Sequence, residues 1–396
     1  MIKKNKPKVV TSCSGRFHIF DQARELSNQD ILYQLITDYP KVMSSRFGIP
    51  SCKVRSLIFI GLMNQALIKF RRLLPTKLKI LIDEKIHDWF STKLSKIIPG
   101  NANFFIGLSS FSLEAIQFCN HRKILSAIDH GSFHQSESRR LIEQEAKSWG
   151  VEVADDICSG WVVEKEDKEF ALADFVFVPS IAVKDSLIRN GVTREKIFVN
   201  PYGVNLDSFF EGRKTDNVFR VIQVGGITIR KGVLTLIEAF KLAGIENSEL
   251  VFVGGGPSSF DLSSAIESIK PSNVFFYPPV PQKELRGYYS QSSVFVLASV
   301  EDGFGMVVLQ AMACGLPVIV TENVGAKDLV VDGINGFVVP TFSPSIIANK
   351  LVELHKNPEK RLAMGVAAKE TVVSGYTWDD YGQRLASFVK EKCYSL

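Results

Sequence analysis

No two cysteines of this chain form a C-x-x-C pair, and no Cys/His set has the spacing of a zinc site. The six cysteines, at 13, 52, 119, 158, 314 and 393, are scattered. They read as reduced thiols of a cytoplasmic protein. No apolar run approaches the roughly eighteen residues of a membrane span. The basic start, MIKKNKPKVV, carries too short an apolar stretch for a signal peptide. The excess of positive charge is only +5, too weak to argue for nucleic acid as a partner. Internal repeats and low-complexity tracts are missing too. The composition is that of a soluble globular chain, 45% apolar and 22% charged. At 396 residues it is too long for one ordinary core, so two domains are expected.

From residue 218 onward, strand and helix patterns alternate. Short β-branched runs such as VFRVIQVGG, LVFVGGGP, SVFVLAS and LPVIV are separated by helical periods such as KGVLTLIEAFKLA and PQKELRGYYSQ. That alternation predicts right-handed βαβ units and a parallel sheet with helices on both faces. Apolar residues continue unbroken through each strand, as burial on both faces requires. The first half is less regular, with strands expected at KVVTSC (8–13), KILSAID (123–129) and ADFVFVPS (173–180). After IFVNPYGVN the polar joint EGRKTDN, 211–217, reads as the domain boundary.

The stretch SVEDGFGMVVLQAMACGLPVIV, 299–320, reads as the end of a buried strand, an acidic glycine loop, a helix from about Phe304 and another strand. Gly303 and Gly305 let the backbone come close to a ligand. A helix starting there aims free N–H groups into the loop, and Glu301 and Asp302 accept hydrogen bonds from hydroxyls. Donors and acceptors in one loop suit a molecule rich in both oxygens and hydroxyls, a sugar above all.

The run D302-GFG-MVVL-Q310-AMACGLPV resembles the donor-binding segment of group 1, family-4 retaining glycosyltransferases of the GT-B fold. Their pattern is an acid, Gly-Phe-Gly, a second acid, then Ala-Met-Ala-Cys-Gly-x-Pro-Val. The resemblance implies an α/β fold of two Rossmann-like domains facing across a cleft: 1–210 on the acceptor side, 217–375 holding a nucleotide sugar. Helix 377–392 is expected to pack back on the first domain. It implies sugar transfer from a nucleoside-diphosphate sugar to a hydroxyl of a glycan or lipid-linked acceptor, with retention. No carboxylate cluster of metal-ligand type accompanies these residues, so no metal or other cofactor is expected. Implied donor contacts are Gly15, Arg230, Lys231, Gly303, Phe304, Gly305, Met306, Val307 and Gln310. His130, Glu301 and Asp302 take the catalytic positions, and Arg16 and His134 are candidates for acceptor or phosphate contact. Two positions depart from the family. The second acid is Gln310, and the Arg that partners the diphosphate-gripping Lys231 is Gly226, with Arg230 next to Lys231 as a substitute. These departures leave room for a non-catalytic relative that binds nucleotide sugar or a partner in polysaccharide assembly. Which of Glu301 and Asp302 faces the sugar stays open, as do the nucleotide base, the sugar, the acceptor and the oligomeric state.

Segment 53–96 stands apart, with ten Lys/Arg against three acids. Leu78, Ile82, Ile86, Trp89, Leu94 and Ile97 fall near helical spacing. Two readings fit: a basic amphipathic helix resting on the inner face of a membrane, or a core-facing helix with a solvated basic back.

Overall fold

The computed structural model describes residues 6–71, 74–153, 159–256 and 260–395. Cys158 and Arg72 lie outside the described residues. In the first half the strands are β1 (Val9–Cys13), β2 (Leu32–Thr37), β3 (Val54–Ser56), β4 (Phe104–Leu108), β5 (Leu125–Asp129), β6 (Phe175–Val178) and β7 (Ile197–Val199). Its helices are α1 (Ile19–Asn28), α2 (Lys41–Ser44), α3 (Ile58–Arg71), α4 (Thr76–Ser95), α5 (Leu113–Arg122), α6 (Gln135–Trp149), α7 (Gly160–Leu172) and α8 (Ile181–Arg189). In the second half the strands are β8 (Phe219–Val224), β9 (Ser248–Val253), β10 (Val274–Tyr277), β11 (Val294–Leu297), β12 (Val318–Thr321) and β13 (Gly336–Val339). The helices there are α9 (Val233–Ala243), α10 (Phe260–Ile269), α11 (Gln282–Ser290), α12 (Met306–Ala313), α13 (Pro344–Lys356), α14 (Pro358–Val373) and α15 (Trp378–Tyr394).

Among the described residues there are two sheets, ordered β3-β2-β1-β4-β5-β6-β7 and β10-β9-β8-β11-β12-β13. Each strand pairs with its neighbours in parallel. The expected pair of Rossmann-like α/β units is therefore present. Strands such as β4 (FFIGL) and β11 (VFVL) are buried along their whole length because helices cover both faces. In each sheet the strand order reverses beside the first strand: β1 lies between β2 and β4, and β8 between β9 and β11. Ligands of such sheets bind outside the carboxyl ends of the strands at that switch point. The loops that begin with Ser14, Gly225 and Ala298 leave the sheets there.

The final helix crosses back. On α15, Gly382 lies so close to α1 that a Cβ there would stand 2.6 Å from the Glu25 Cβ. Tyr381 of the same helix accepts a hydrogen bond from Gln22 at 2.9 Å. The Arg384 guanidinium donates to Asn200 Oδ1 and to the Pro201 carbonyl, each at 2.9 Å, tying α15 to the end of the first unit. Helix α12 begins at Met306, two residues later than its sequence pattern suggests, because Gly305 adopts a φ of +80° that no helix continues through. The 53–96 segment divides. Trp89, Phe90 and Leu94 pack into the core, as a core-facing helix requires, whereas Leu78 and Leu81 stay exposed.

Candidate functional site

Thr228 to Gly232 set two cations over the acidic loop. The Thr228 hydroxyl accepts from the Lys231 N–H and caps a 3₁₀ turn, Ile229–Lys231. Gly232 follows at φ +62°, where a Cβ would fall 1.9 Å from the Ala298 carbonyl oxygen. Only glycine lets this turn lie on the end of β11. The Val300 N–H donates to the Arg230 carbonyl at 2.9 Å and locks the two loops together.

The two acids then divide their partners. Asp302 pairs with the Lys231 ammonium. Burial works to raise the Asp302 carboxyl, but Lys231 and Arg230 outweigh it and hold it below the usual carboxylate range. Glu301 is only 1% exposed. Its Oε1 accepts from Arg230 at 3.1 Å and from Ser138 of α6 at 2.8 Å, so it binds the two units to one another. Its Oε2 has no hydrogen-bond partner among the described residues. Gly303 lies directly against the first unit: a Cβ there would lie 1.9 Å from the Gly131 carbonyl oxygen. The Ser180 hydroxyl donates to the Gly303 carbonyl at 2.7 Å. Phe304 is buried behind this loop, and Met306 and Val307 open the first turn of α12. Gln310 sits in that helix, nearly buried, and its amide oxygen accepts from the Tyr289 hydroxyl at 3.1 Å. One acceptor direction is thereby taken, and the NH₂ donors are what distinguish this position from a carboxylate.

On the first unit, Gly15 lies at φ +75° with its N–H on Asp38 Oδ1 at 2.6 Å. The Arg16 guanidinium stacks over Phe47, 4.4 Å from the ring centroid. The sequence singles out two histidines here. His130 is fully buried. Its Nδ1 lies 3.0 Å from the Ser109 hydroxyl and its ring is edge-on to Phe170; Nε2 has no hydrogen-bond partner among the described residues, and the next residue, Gly131, abuts Gly303. His134 caps α6 through its own ring and bonds Asp167 at 2.9 Å. A third histidine, His18, also lies at the junction. Its Nε2 lies 2.8 Å from Asp129 Oδ1 and 3.1 Å from the Tyr202 hydroxyl, and Tyr202 in turn packs edge-on against Phe304. Gln22 donates to the other Asp129 oxygen at 2.6 Å. Sequence reasoning passed over this group, though His18 closes the SGRFH turn and Asp129 immediately precedes His130.

Lys231, Arg230, Glu301, Asp302 and the start of α12 thus converge at the carboxyl ends of β8 and β11. Gly15 and Arg16 stand in the corresponding loop of the first sheet. Cations and a helix N-terminus are groups that attract phosphates, and carboxylates are groups that accept from hydroxyls.

Residues 205–371 match the family described as glycosyl transferases group 1. A GDP-mannose-dependent alpha-(1-6)-phosphatidylinositol monomannoside mannosyltransferase of Mycolicibacterium smegmatis is 30% identical over 179 residues, 43% of this chain and 47% of that one. A D-inositol 3-phosphate glycosyltransferase of an Arthrobacter species is 30% identical over 217 residues, 51% and 50% of the two chains. The chain thus spans about half the length of the curated relatives it matches. Among solved structures, sucrose-phosphate synthase of Thermosynechococcus elongatus superimposes with a TM-score of 0.71 at 17% identity, covering 99% of this chain and 100% of that one. Anabaena HepE in complex with UDP gives 0.68 at 14%, covering 97% and 100%. At such identities the likeness is one of fold. The segment that carries Arg230, Lys231, Asp302 and Gln310 therefore matches the group 1 glycosyl transferases, within a chain whose two-sheet architecture is the GT-B fold.

Proposed function

We propose that the chain is a glycosyltransferase that moves a sugar from a nucleoside-diphosphate sugar to a hydroxyl of a glycan or lipid-linked acceptor, with retention and without a metal. The observation that carries this reading is the double pairing Lys231–Asp302 and Arg230–Glu301 beside the start of α12. A diphosphate entering the crevice takes over the two cations and stabilises as a leaving group against them. Asp302, relieved of Lys231, then accepts from sugar hydroxyls, and the Gln310 amide reaches the ribose. The relatives named for GDP-mannose and the neighbour holding UDP support a nucleotide-sugar donor. Retention rests on the resemblance of 302–318 to family-4 enzymes, and metal independence is the expectation from the sequence. The units close on the donor about the 211–217 joint, and the protein works in the cytoplasm at the membrane's inner face.

Gly226 and Gln310, standing where that family has Arg and an acid, favour a second reading: a relative that binds nucleotide sugar without turning it over. A thermal-shift screen against UDP-, GDP- and ADP-sugars, with Lys231→Ala in parallel, tests both. A ligand that binds only the native state raises the melting temperature, by an amount equivalent to about 2.7 kcal/mol at a hundredfold excess over Kd. The expected result is a shift with one nucleotide sugar, lost in the variant, together with slow donor hydrolysis. A shift without any donor consumption supports the second reading, and no shift with any nucleotide sugar sinks the first.

A further inference from the structure

A cavity of about 610 Å³ opens between the Gly15 loop and helices α3 and α4. That is within the range of about 300–1,000 Å³ typical of sites that enclose an organic ligand. Its two ends differ in chemistry. The end at the sheet is polar: Ser14 and Asn64 donate to Asp38 Oδ2, and the Gly15 N–H to Oδ1. This end adjoins the SGRFH turn, whose His18 lies at the junction with the second unit. The other end is walled by Met43, Ile58, Leu62, Leu67, Ile82 and Ile86.

Protein interiors pack to the density of organic crystals, so an apolar space this large is no ordinary packing gap. A Cβ at Gly61 would fall 2.3 Å from the Asp38 carbonyl oxygen, so α3 is seated hard against the Asp38 loop at this end of the cavity. Where the apolar end opens, the surface is apolar too: Phe59 is 79% exposed, and Leu62, Met63, Leu78 and Leu81 are exposed beside it. Lys77 and Lys85 are exposed on α4, Lys79 and Asp83 line the cavity, and the lysines of α4 outnumber its acids by four to three. An apolar rim with a cationic flank is complementary to an anionic lipid surface.

We propose that this cavity receives the alkyl or alkenyl chain of an amphiphilic acceptor drawn from an anionic lipid surface. The hydroxyl head then lies at Gly15 and Asp38, facing the donor, and the chain runs out between α3 and α4. The inference rests on the glycosyltransferase reading and chooses, between the glycan and lipid acceptors it allows, the lipid.

The test is a fluorescence titration with dansyl-undecanoic acid, which brightens on entering an apolar site. The wild-type protein should bind it saturably. Dodecyl maltoside below its micelle concentration should displace it, and maltose should not. Ile82→Trp and Met43→Trp fill the cavity from opposite walls, and each should weaken the probe about tenfold or more. Both should keep the nucleotide-sugar thermal shift of the wild type, which reports an intact fold and donor half. Absence of saturable binding to the wild type, or equally tight binding by both folded variants, overturns the proposal, and so does displacement by maltose alone. A nucleotide-sugar shift without probe binding sinks the cavity assignment and leaves the transferase reading standing. Probe binding with no shift for any nucleotide sugar sinks the transferase reading and the acceptor role with it.

Discussion

Asp129 and His130 show how much one residue of register decides. Consecutive side chains at a strand end point to opposite faces. Asp129 therefore reaches His18, and His130 faces Ser109 and Phe170. The pocket behind His130 also holds Glu166 and Glu169, both buried. Glu169 accepts from the Ser110 and Ser112 N–H groups at 2.6 and 2.7 Å. Burial, with Glu166 adding to it, still pushes its carboxyl up from 4.5 to about 8, against the opposing pull of those N–H groups and Lys165. A carboxyl whose folded pKa is raised holds a proton that the unfolded chain has lost, so its contribution to stability is complete below 4.5 and falls away up to about 8. His87 nearby is pushed down by burial from 6.5 to about 4, so its own pH effect lies below 6.5. Melting temperature should therefore fall as pH rises from about 6.5 to 8, and Glu169→Gln should flatten that slope. A slope unchanged in the variant would show that the group titrates normally.

At the scale of the element, α15 is the clearest case of local sequence and tertiary packing agreeing. Its start, T377-W-D-D380, forms a reciprocal capping box: Thr377 accepts from the Asp380 N–H and Asp380 from the Thr377 N–H. Its buried face holds Trp378, Tyr381, Leu385 and Val389, a helical period that the sequence displays openly. Thr377→Ala should cost about 1 kcal/mol, seen as a lower melting temperature with an unchanged nucleotide-sugar shift. Loss of ligand binding instead would mean that this helix end helps shape the crevice. Helix α4 is the contrary case. Its apolar stripe was legible, but its meaning was not: the C-terminal half fills the core, and the N-terminal half faces a cavity. A single periodicity serves both, because it records which side is apolar and not what lies opposite.

Across the whole molecule, the two units meet through a few close polar contacts: Ser138 with Glu301, Thr235 with Glu145 at 2.5 Å, Ser180 with Gly303, and the Ile181 N–H with Asp328 at 2.7 Å. Gly303 makes this approach possible, because a side chain there would run into the Gly131 carbonyl. Gly303→Ala should hold the units apart or force the loop to shift, at a cost of about 1–3 kcal/mol. A drop in melting temperature together with a larger radius of gyration in solution scattering checks it, and a variant identical to wild type in both would refute the tight approach. The alternation of strands and helices was legible in the chain, because it repeats over contiguous residues. So was the grouping of Asp302, Gly303, Gly305 and Gln310, because one loop and one helix carry them all, and Lys231 with its following glycine was legible for the same reason. The His18–Asp129–Tyr202 group was not, since its members follow β1, end β5 and follow β7, and they meet only because the sheet order returns β1 to the middle. The division of Glu301 and Asp302 between Arg230 and Lys231, the partners of His130 and the cavity beside Gly15 belong to the tertiary structure for one shared reason. Each depends on which side chains the packing sets opposite one another, and a linear pattern holds no record of that distance.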